Sequence, residues 1–146
     1  MKATNSNSKG WNISLWVAQV VLALMFLWAA LPKVTTPMHE LASAIPLANE
    51  SSAILMRFIG VSELLAVLGL ILPGILRIKP MLIAWAALGL VIVMVLAMAY
   101  HLNQGEVGPA LFNVLLGLLA AFVAWGRYRV APIEATAETY VHQQAK

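Results

Sequence analysis

Long apolar blocks alternate with short polar connections along this chain. A membrane's hydrocarbon core is about 30 Å thick and needs roughly 20 apolar residues in a helix to cross it. Four blocks come close to that length: Trp11–Leu31, Ala53–Leu72, Met81–Tyr100 and Gly108–Trp125. The pattern therefore predicts an all-α fold, an integral membrane bundle of four helices.

The connections carry residues that usually end helices. Proline and glycine recur in the three connecting sequences, which read LPKVTTP, LPGILRIKP and HLNQGEVGP. Within residues 33–52, Met38, Leu41 and Ile45 follow helical spacing after a proline that suits a helix start. We expect a short helix there, lying on the outer surface or over the mouth of the bundle.

Composition supports a membrane protein and excludes several other classes. Of the 146 residues, 62% are hydrophobic and only 10% are charged, too few to cover the outside of a soluble domain. The chain has no cysteine, which excludes a disulfide framework and a dithiol relay. It has no basic run interleaved with aromatics, so we predict no nucleic-acid partner. His39, His101 and His142 lie in different segments without metal-ligand spacing, so we predict no metal site.

The distribution of positive charge predicts the orientation of the bundle. With four spans, the two tails and the middle loop lie on one side of the membrane. The opposite side has Lys33 in its first loop, with Arg57 just inside the second span. The tails and middle loop carry Lys2, Lys9, Arg77, Lys79, Arg127, Arg129 and Lys146. The positive-inside rule then makes residues 1–10 and 130–146 cytoplasmic tails of a membrane domain, residues 11–129.

One carboxylate lies deep inside a predicted span. Glu63 is ten residues beyond Ala53, roughly 15 Å along a helix that rises 1.5 Å per residue. An ionised group at that depth costs roughly 2.5–3.5 kcal/mol on insertion scales. Glu63 is therefore expected to face the bundle interior and find a partner, or to take up a proton. The sequence leaves the partner open.

Other polar residues fall in the same half of the membrane. The half that faces away from the cytoplasm holds Lys33, Arg57, Glu63, His101, Gln104, Glu106 and Asn113, and the inner half shows no counterpart. This predicts a polar pocket that opens outward. Structural roles stay open for each residue, such as bonding within the bundle, capping a helix end, snorkelling to water or linking helices.

Three stretches together resemble the DoxX-like family of small bacterial four-helix membrane proteins. They read LPKVTTP, GVSELLAVLGLILPG and MAYHLNQGEVGPALFNVLLGLL, and the resemblance covers residues 17–127. The matching positions are a Lys closing the first helix, Gly-x-x-Glu and a terminal Pro in the second, and His-Leu-x-x-Gly-acid ending the third. In this chain they are Lys33, Gly60, Glu63, Pro73, His101, Leu102, Gly105 and Glu106. The family often has Gly three residues before the Lys, where this chain has Ala30.

The resemblance implies a redox-associated role in the bacterial inner membrane. The wider family includes DoxD, a subunit associated with thiosulfate:quinone oxidoreduction, and membrane partners of redox enzymes. We favour a protein that binds a quinone, or another lipid-soluble small molecule, in the outward pocket. Glu63 and His101 are then candidates for proton transfer, and Lys33, Arg57, Gly60 and Asn113 for ligand binding.

The sequence leaves the catalytic role open. It contains no flavin, haem or thiol motif, so electrons would have to come from a redox partner or a diffusible donor. Whether the chain is a membrane subunit of a quinone-linked oxidoreductase stays undecided at this stage.

Two other functions compete with this one. Distant relatives assist the assembly of other membrane proteins, so the chain is alternatively a non-enzymatic membrane partner whose polar cluster holds the helices in register. A small transporter is a third hypothesis, although four spans without an inverted repeat argue against it for a monomer. A homo-oligomer would remove that objection.

Overall fold

Five α-helices and a final π-helical turn form the described part of the chain. This computed structural model describes residues 6–44 and 52–134. The elements are α1 (Ser6–Thr35), α2 (Met38–Ala44), α3 (Ala53–Leu76), α4 (Met81–Asn103), α5 (Val107–Trp125) and the π-helical turn Gly126–Val130. The described residues contain no strand, which confirms the predicted all-α fold. Residues 1–5 and 135–146 of the two predicted tails lie outside the described residues, whereas residues 6–10 belong to α1.

Four of the helices are long and apolar enough to cross a membrane. Within the described residues they span Lys9–Thr35, Ala53–Leu76, Met81–Asn103 and Val107–Val130. Their outward faces expose many large apolar side chains, such as Ile54 and Trp28. Helices that satisfy their own backbone groups and expose apolar side chains suit contact with lipid. The predicted membrane bundle is confirmed, whereas its orientation stays a prediction.

The long helices form a ring in which each packs against the next one along the chain, and α5 closes the ring by packing against α1. Helix α1 packs against α3 and α5, and α4 packs against the same two helices. Successive long helices run antiparallel, so α1 and α4 finish at the end of the bundle where α3 and α5 begin. We call this the Lys33 end, and the opposite end, where α3 and α5 finish, the Arg127 end.

The tightly packed apolar core lies towards the Arg127 end. Its buried side chains are Ala18, Leu22, Phe26, Leu70, Ile83, Ala87, Leu90, Met94, Ala120 and Val123. Phe26 and Met94 of this core also line a cavity in the other half of the bundle. The core therefore forms the floor of that cavity.

Two prolines lie inside helices rather than at their ends. Helix α1 continues past Pro32, and α3 continues past Pro73. A proline lacks a backbone donor and its ring crowds the carbonyl four residues earlier, but hydrogen bonding resumes after it, since Thr36 N donates to Pro32 O at 2.9 Å. Helix α3 ends instead at Arg77, whose φ of 53° is left-handed. The expectation that Pro73 ends the second helix is therefore wrong.

The short helix predicted between the first two spans is present as α2. Pro37 precedes it and accepts a hydrogen bond from Leu41 N at 3.1 Å. Leu41 is buried with Met56 of α3, and Met38 packs against both. Helix α2 therefore lies against the start of α3 at the Lys33 end. Ile45, the last apolar residue of the predicted helix, lies outside the described residues.

Candidate functional site

A cavity of about 600 Å³ occupies the half of the bundle nearest the Lys33 end. All four long helices contribute to its wall, and most of the lining side chains are apolar. The polar residues of the wall are Lys33, Ser62, Glu63, Tyr100, His101, Glu106 and Asn113. Four of the six predicted site residues thus line one cavity, whereas Arg57 and Gly60 lie behind its wall.

Glu63 has its cation partner on the neighbouring helix. Lys33 Nζ, in the last turn of α1, donates to both Oε1 and Oε2 of Glu63 at 2.7 Å. Glu63 is 3% exposed, so this attraction acts away from water, where charges are poorly screened. The partner that the sequence left open is Lys33.

Gly60 allows α1 and α3 to approach closely enough for that ion pair. A Cβ at Gly60 would lie 2.8 Å from Lys33 Cβ and 2.9 Å from Val34 Cγ2. It would also lie 3.3 Å from the carbonyl oxygen of Ala30. Glycine is needed here for space, because any side chain would push the two helices apart. Gly60 therefore positions Lys33 against Glu63 from outside the cavity.

Arg57 fastens the start of α3 to the end of α1. Its Nη1 donates to Lys33 O at 2.6 Å, and its Nη2 donates to Thr36 O at 2.7 Å. The last carbonyls of a helix lack partners within the helix and attract a positive charge. Arg57 satisfies two of these carbonyls and so holds the backbone that carries the Lys33 side chain.

His101 and Glu106 form a second pair at the Lys33 end. His101 Nδ1 lies 2.6 Å from Glu106 Oε2, and both side chains are partly exposed. The backbone between them forms a Schellman motif: Glu106 N donates to His101 O, Gly105 N donates to Leu102 O, and Gly105 has a φ of +77°. This turn folds the acid back onto the histidine, which explains the spacing His-Leu-x-x-Gly-acid.

Asn113 places a buried amide in the cavity wall. It lies in the second turn of α5 and is 8% exposed. Its Nδ2 is buried and has no hydrogen-bond partner among the described residues. A buried donor without a partner is destabilising. Asn113 therefore does not act as a hydrogen-bonded link between helices through this atom.

A second polar cluster, which sequence reasoning missed, lies at the Arg127 end. Gln19 is fully buried, donates from Nε2 to Leu70 O at 2.6 Å and accepts from Arg127 Nε at 2.6 Å. Arg127 also donates to Asn12 Oδ1 at 2.6 Å, and its guanidinium carbon lies 5.4 Å from the ring centre of Trp16. The expectation that this half has no polar counterpart is therefore wrong.

The sequence held one signal for this cluster. Gln19 interrupts the first apolar block with an amide that cannot be left unbonded in lipid. The burial of Arg127 had no such signal, because an arginine near the end of a span normally extends to water. Here Arg127 is only 4% exposed, since the π-helical turn directs it back into the bundle.

The described histidines do not form a metal centre. No three His, Cys, Asp or Glu side chains lie together in residues 6–44 and 52–134. His39 lies on α2 with a highly exposed side chain, and His101 pairs with Glu106. His142 lies outside the described residues.

Comparison with known proteins identifies a family. No curated protein and no solved structure matches the chain at a significant level. The DoxX-like family profile matches residues 17–123, which is most of the chain and includes nearly all of the membrane bundle. The matched range holds the Lys33–Glu63 pair, Gly60, the His101–Glu106 turn and Asn113. The chain therefore belongs to the DoxX-like family.

Proposed function

We propose that this membrane protein binds a lipid-soluble small molecule in the cavity, with a quinone as the favoured class. The observation that carries the proposal is a buried ion pair in the wall of a largely apolar chamber. The chamber measures about 600 Å³, within the roughly 300–1,000 Å³ of small-molecule pockets. An apolar lining with a few convergent polar groups is also typical of such pockets.

Access from the bilayer supports a lipid-soluble ligand. Trp28 of α1 and Phe112 of α5 line the cavity and are exposed on the outer surface of the bundle. Phe58 of α3 and Leu96 of α4 do the same on the opposite side. Each pair comes from neighbouring helices. A ligand dissolved in the membrane would therefore enter between helices without passing through water.

The polar groups suit the head of a quinone. A quinone carbonyl accepts hydrogen bonds, and Lys33 and Asn113, two residues of the cavity wall, carry an amine donor and an amide donor. When bound, a quinone would supply two-electron redox chemistry with proton uptake, and its electrons would come from a partner or a diffusible donor. Glu63 and His101 are the proposed groups that hold and transfer protons. Arg57 and Gly60 would act by positioning Lys33.

We further propose that the Lys33 end faces away from the cytoplasm of a bacterial inner membrane. Among the described residues, Lys9, Arg77, Lys79 and Arg129 all lie towards the Arg127 end. Such an excess of Lys and Arg favours the cytoplasmic side. The cavity would then take its ligand from the outer leaflet.

Quinone binding to the protein in nanodiscs tests the proposal. Decylubiquinone is titrated while tryptophan fluorescence is followed, since Trp28 lies in the cavity wall. Glu63→Gln and His101→Ala should each weaken binding by about tenfold, equivalent to about 1.4 kcal/mol. The matched controls are Glu40→Gln and His39→Ala, because both side chains are exposed on α2 and outside the cavity. Parent-like binding by both cavity variants would rule the proposal out.

A non-enzymatic membrane partner or assembly factor is the second candidate. It is favoured by the interhelical bonds themselves, since the Lys33–Glu63 pair and Arg57 all tie α1 to α3. In that case Glu63→Gln would lower the melting temperature without any effect on ligand binding. Affinity purification would also recover one membrane protein in near-equal amount, which the ligand-binding proposal does not require.

A further inference from the structure

Asn113 is distinguished from the other polar residues of the cavity by its unused donor. Among the described cavity residues, it alone has a buried polar side-chain atom without a hydrogen-bond partner. Its Nδ2 has therefore given up hydrogen bonds to water without receiving a protein acceptor in return. A group of this kind lowers the stability of the empty protein. Because Nδ2 is buried, it reaches a ligand only after the amide turns about its Cβ–Cγ bond, and that rotation breaks no hydrogen bond of this atom. The donor becomes favourable once a ligand then supplies the acceptor.

The charges around the cavity are paired with one another. Lys33 and Glu63 neutralise each other at 2.7 Å, and His101 lies 2.6 Å from the carboxylate of Glu106. The described cavity wall therefore has no unpaired cation that would hold an anionic head group. Taking an unpaired charge into such a chamber is costly, whereas a neutral head group avoids that cost.

We propose that the Asn113 amide anchors an uncharged, lipid-soluble molecule by donating a hydrogen bond to its carbonyl oxygen. The carbonyl belongs either to a quinone ring or to the ester of a neutral glyceride, which present the same acceptor. This inference rests on the proposed ligand-binding function and narrows its ligand class. It also makes Asn113 a residue that determines specificity for neutral carbonyl compounds over anionic amphiphiles.

Replacing the amide by an apolar group of similar shape tests the anchor. Asn113→Leu removes an unpaired buried donor, so the melting temperature of the ligand-free protein in detergent should stay the same or rise. The same substitution should weaken binding of decylubiquinone or of 1,2-dioctanoylglycerol by about tenfold, because the carbonyl loses its donor. These opposite effects separate a ligand anchor from a structural residue, whose loss would lower the melting temperature.

The direction of the hydrogen bond is tested with a second variant. Asn113→Asp keeps the shape of the side chain and replaces the NH₂ donor by an acceptor oxygen. Binding of both neutral probes should fall as far as it does in Asn113→Leu. Because burial favours the protonated acid, which still donates, the binding of Asn113→Asp is compared at high pH, where the carboxylate only accepts. Retained or tighter binding there would mean that the ligand donates to the residue, which would overturn the inference. Asn103→Leu, an exposed asparagine at the end of α4 outside the cavity, is the matched control.

The outcomes distinguish this inference from the proposed function. If the parent binds a neutral probe and Asn113→Leu binds it equally well, the anchor is wrong while ligand binding stands. If the parent prefers dodecyl phosphate to both neutral probes, the neutral ligand class is wrong. If the parent binds none of the three probes, the proposed function and this inference both fail.

Discussion

Lys33 Nζ lies 2.7 Å from each carboxylate oxygen of Glu63, joining two helices across thirty residues of sequence. The pair offsets the free-energy cost of burying a carboxylate near the middle of a membrane span, because the opposite charge lies beside it. It also belongs to the wall of a cavity with few other polar groups. The same two residues therefore serve both the α1–α3 contact and the proposed ligand site.

Replacing one residue of this ion pair should lower the free energy of unfolding more than replacing both residues. Loss of one partner of a fully buried pair costs roughly 3–5 kcal/mol. The Lys33 side chain is still 15% exposed. We therefore expect Lys33→Met and Glu63→Gln each to lower the free energy of unfolding by about 2–3 kcal/mol. The double variant should lose less than either single variant, since it leaves no lone charge. Equilibrium unfolding in mixed micelles measures all three.

The control for this cycle is an exposed acid. Glu40 lies on α2 with a side chain that is 61% exposed. Glu40→Gln should change the free energy of unfolding by less than about 0.5 kcal/mol, as is usual at exposed sites. Single-variant losses that simply add in the double variant would contradict the prediction, because the two side chains would then act independently.

The helix contact at Gly60 should not tolerate a methyl group. The added Cβ of Gly60→Ala would lie 2.8 Å from Lys33 Cβ, so α1 and α3 would have to separate. We expect a lower melting temperature together with weaker ligand binding, because Lys33 would move with α1. Gly89→Ala is the matched control, since nothing lies within 4 Å of its added Cβ. That variant should be neutral or gain up to about 1 kcal/mol from helix propensity. Equal effects of the two substitutions would contradict the packing argument.

The Gln19–Arg127 cluster should support stability and not ligand binding. Gln19→Leu removes the acceptor of Arg127 Nε and the donor to Leu70 O. We expect a loss of about 1–3 kcal/mol from buried groups left unbonded. The double variant Gln19→Leu, Arg127→Met should be less destabilised than Gln19→Leu alone, because it no longer has a buried guanidinium that lacks its acceptor.

Ligand titration adds a second readout for this cluster. It lies at the opposite end of the bundle from the cavity, so both variants should bind decylubiquinone with the affinity of the parent. A selective loss of binding at unchanged stability would contradict this separation of the two ends.

The orientation of the bundle can be measured by cysteine labelling, because the chain has no native cysteine. Gln104→Cys places a thiol at the exposed Lys33 end, and Lys79→Cys places one at the exposed Arg127 end. A membrane-impermeant maleimide added to spheroplasts should label the first variant at once. It should label the second only after the membrane is permeabilised. The reverse pattern would mean that the cavity faces the cytoplasm.

Several features of the fold follow from local patterns. Four apolar blocks predicted the four membrane helices, and the spacing of Met38 and Leu41 predicted α2. The helix ends were less predictable, since α1 and α3 continue past Pro32 and Pro73. Ending the helix at the proline would leave further backbone groups without partners in an apolar environment. That costs more than the one donor that the proline lacks. The helical state of residues inside a long apolar block is thus easier to predict than the residue at which the helix ends.

Part of the candidate site could also be predicted. The depth of Glu63 in its block indicated a polar interior, and Lys33, His101 and Asn113 do line the same cavity. The roles of Arg57 and Gly60 could not be predicted, because one depends on the carbonyls at the end of α1 and the other on the distance between two helices. The buried position of Arg127 was missed for the same reason.

The sequence by itself determined that this chain forms four membrane helices and that the interior of the bundle must hold a few polar residues. Hydrophobic length and the cost of charge in lipid act along one helix, so both can be read from neighbouring residues. Only the tertiary structure decided that Lys33 pairs with Glu63, that Arg127 lies buried beside Gln19, and that the Asn113 amide keeps a free donor. Those relationships depend on the rotation and separation of whole helices. The rotation and separation of the helices are set by small residues at the helix contacts and by the crossing angles, so they cannot be predicted from a single segment.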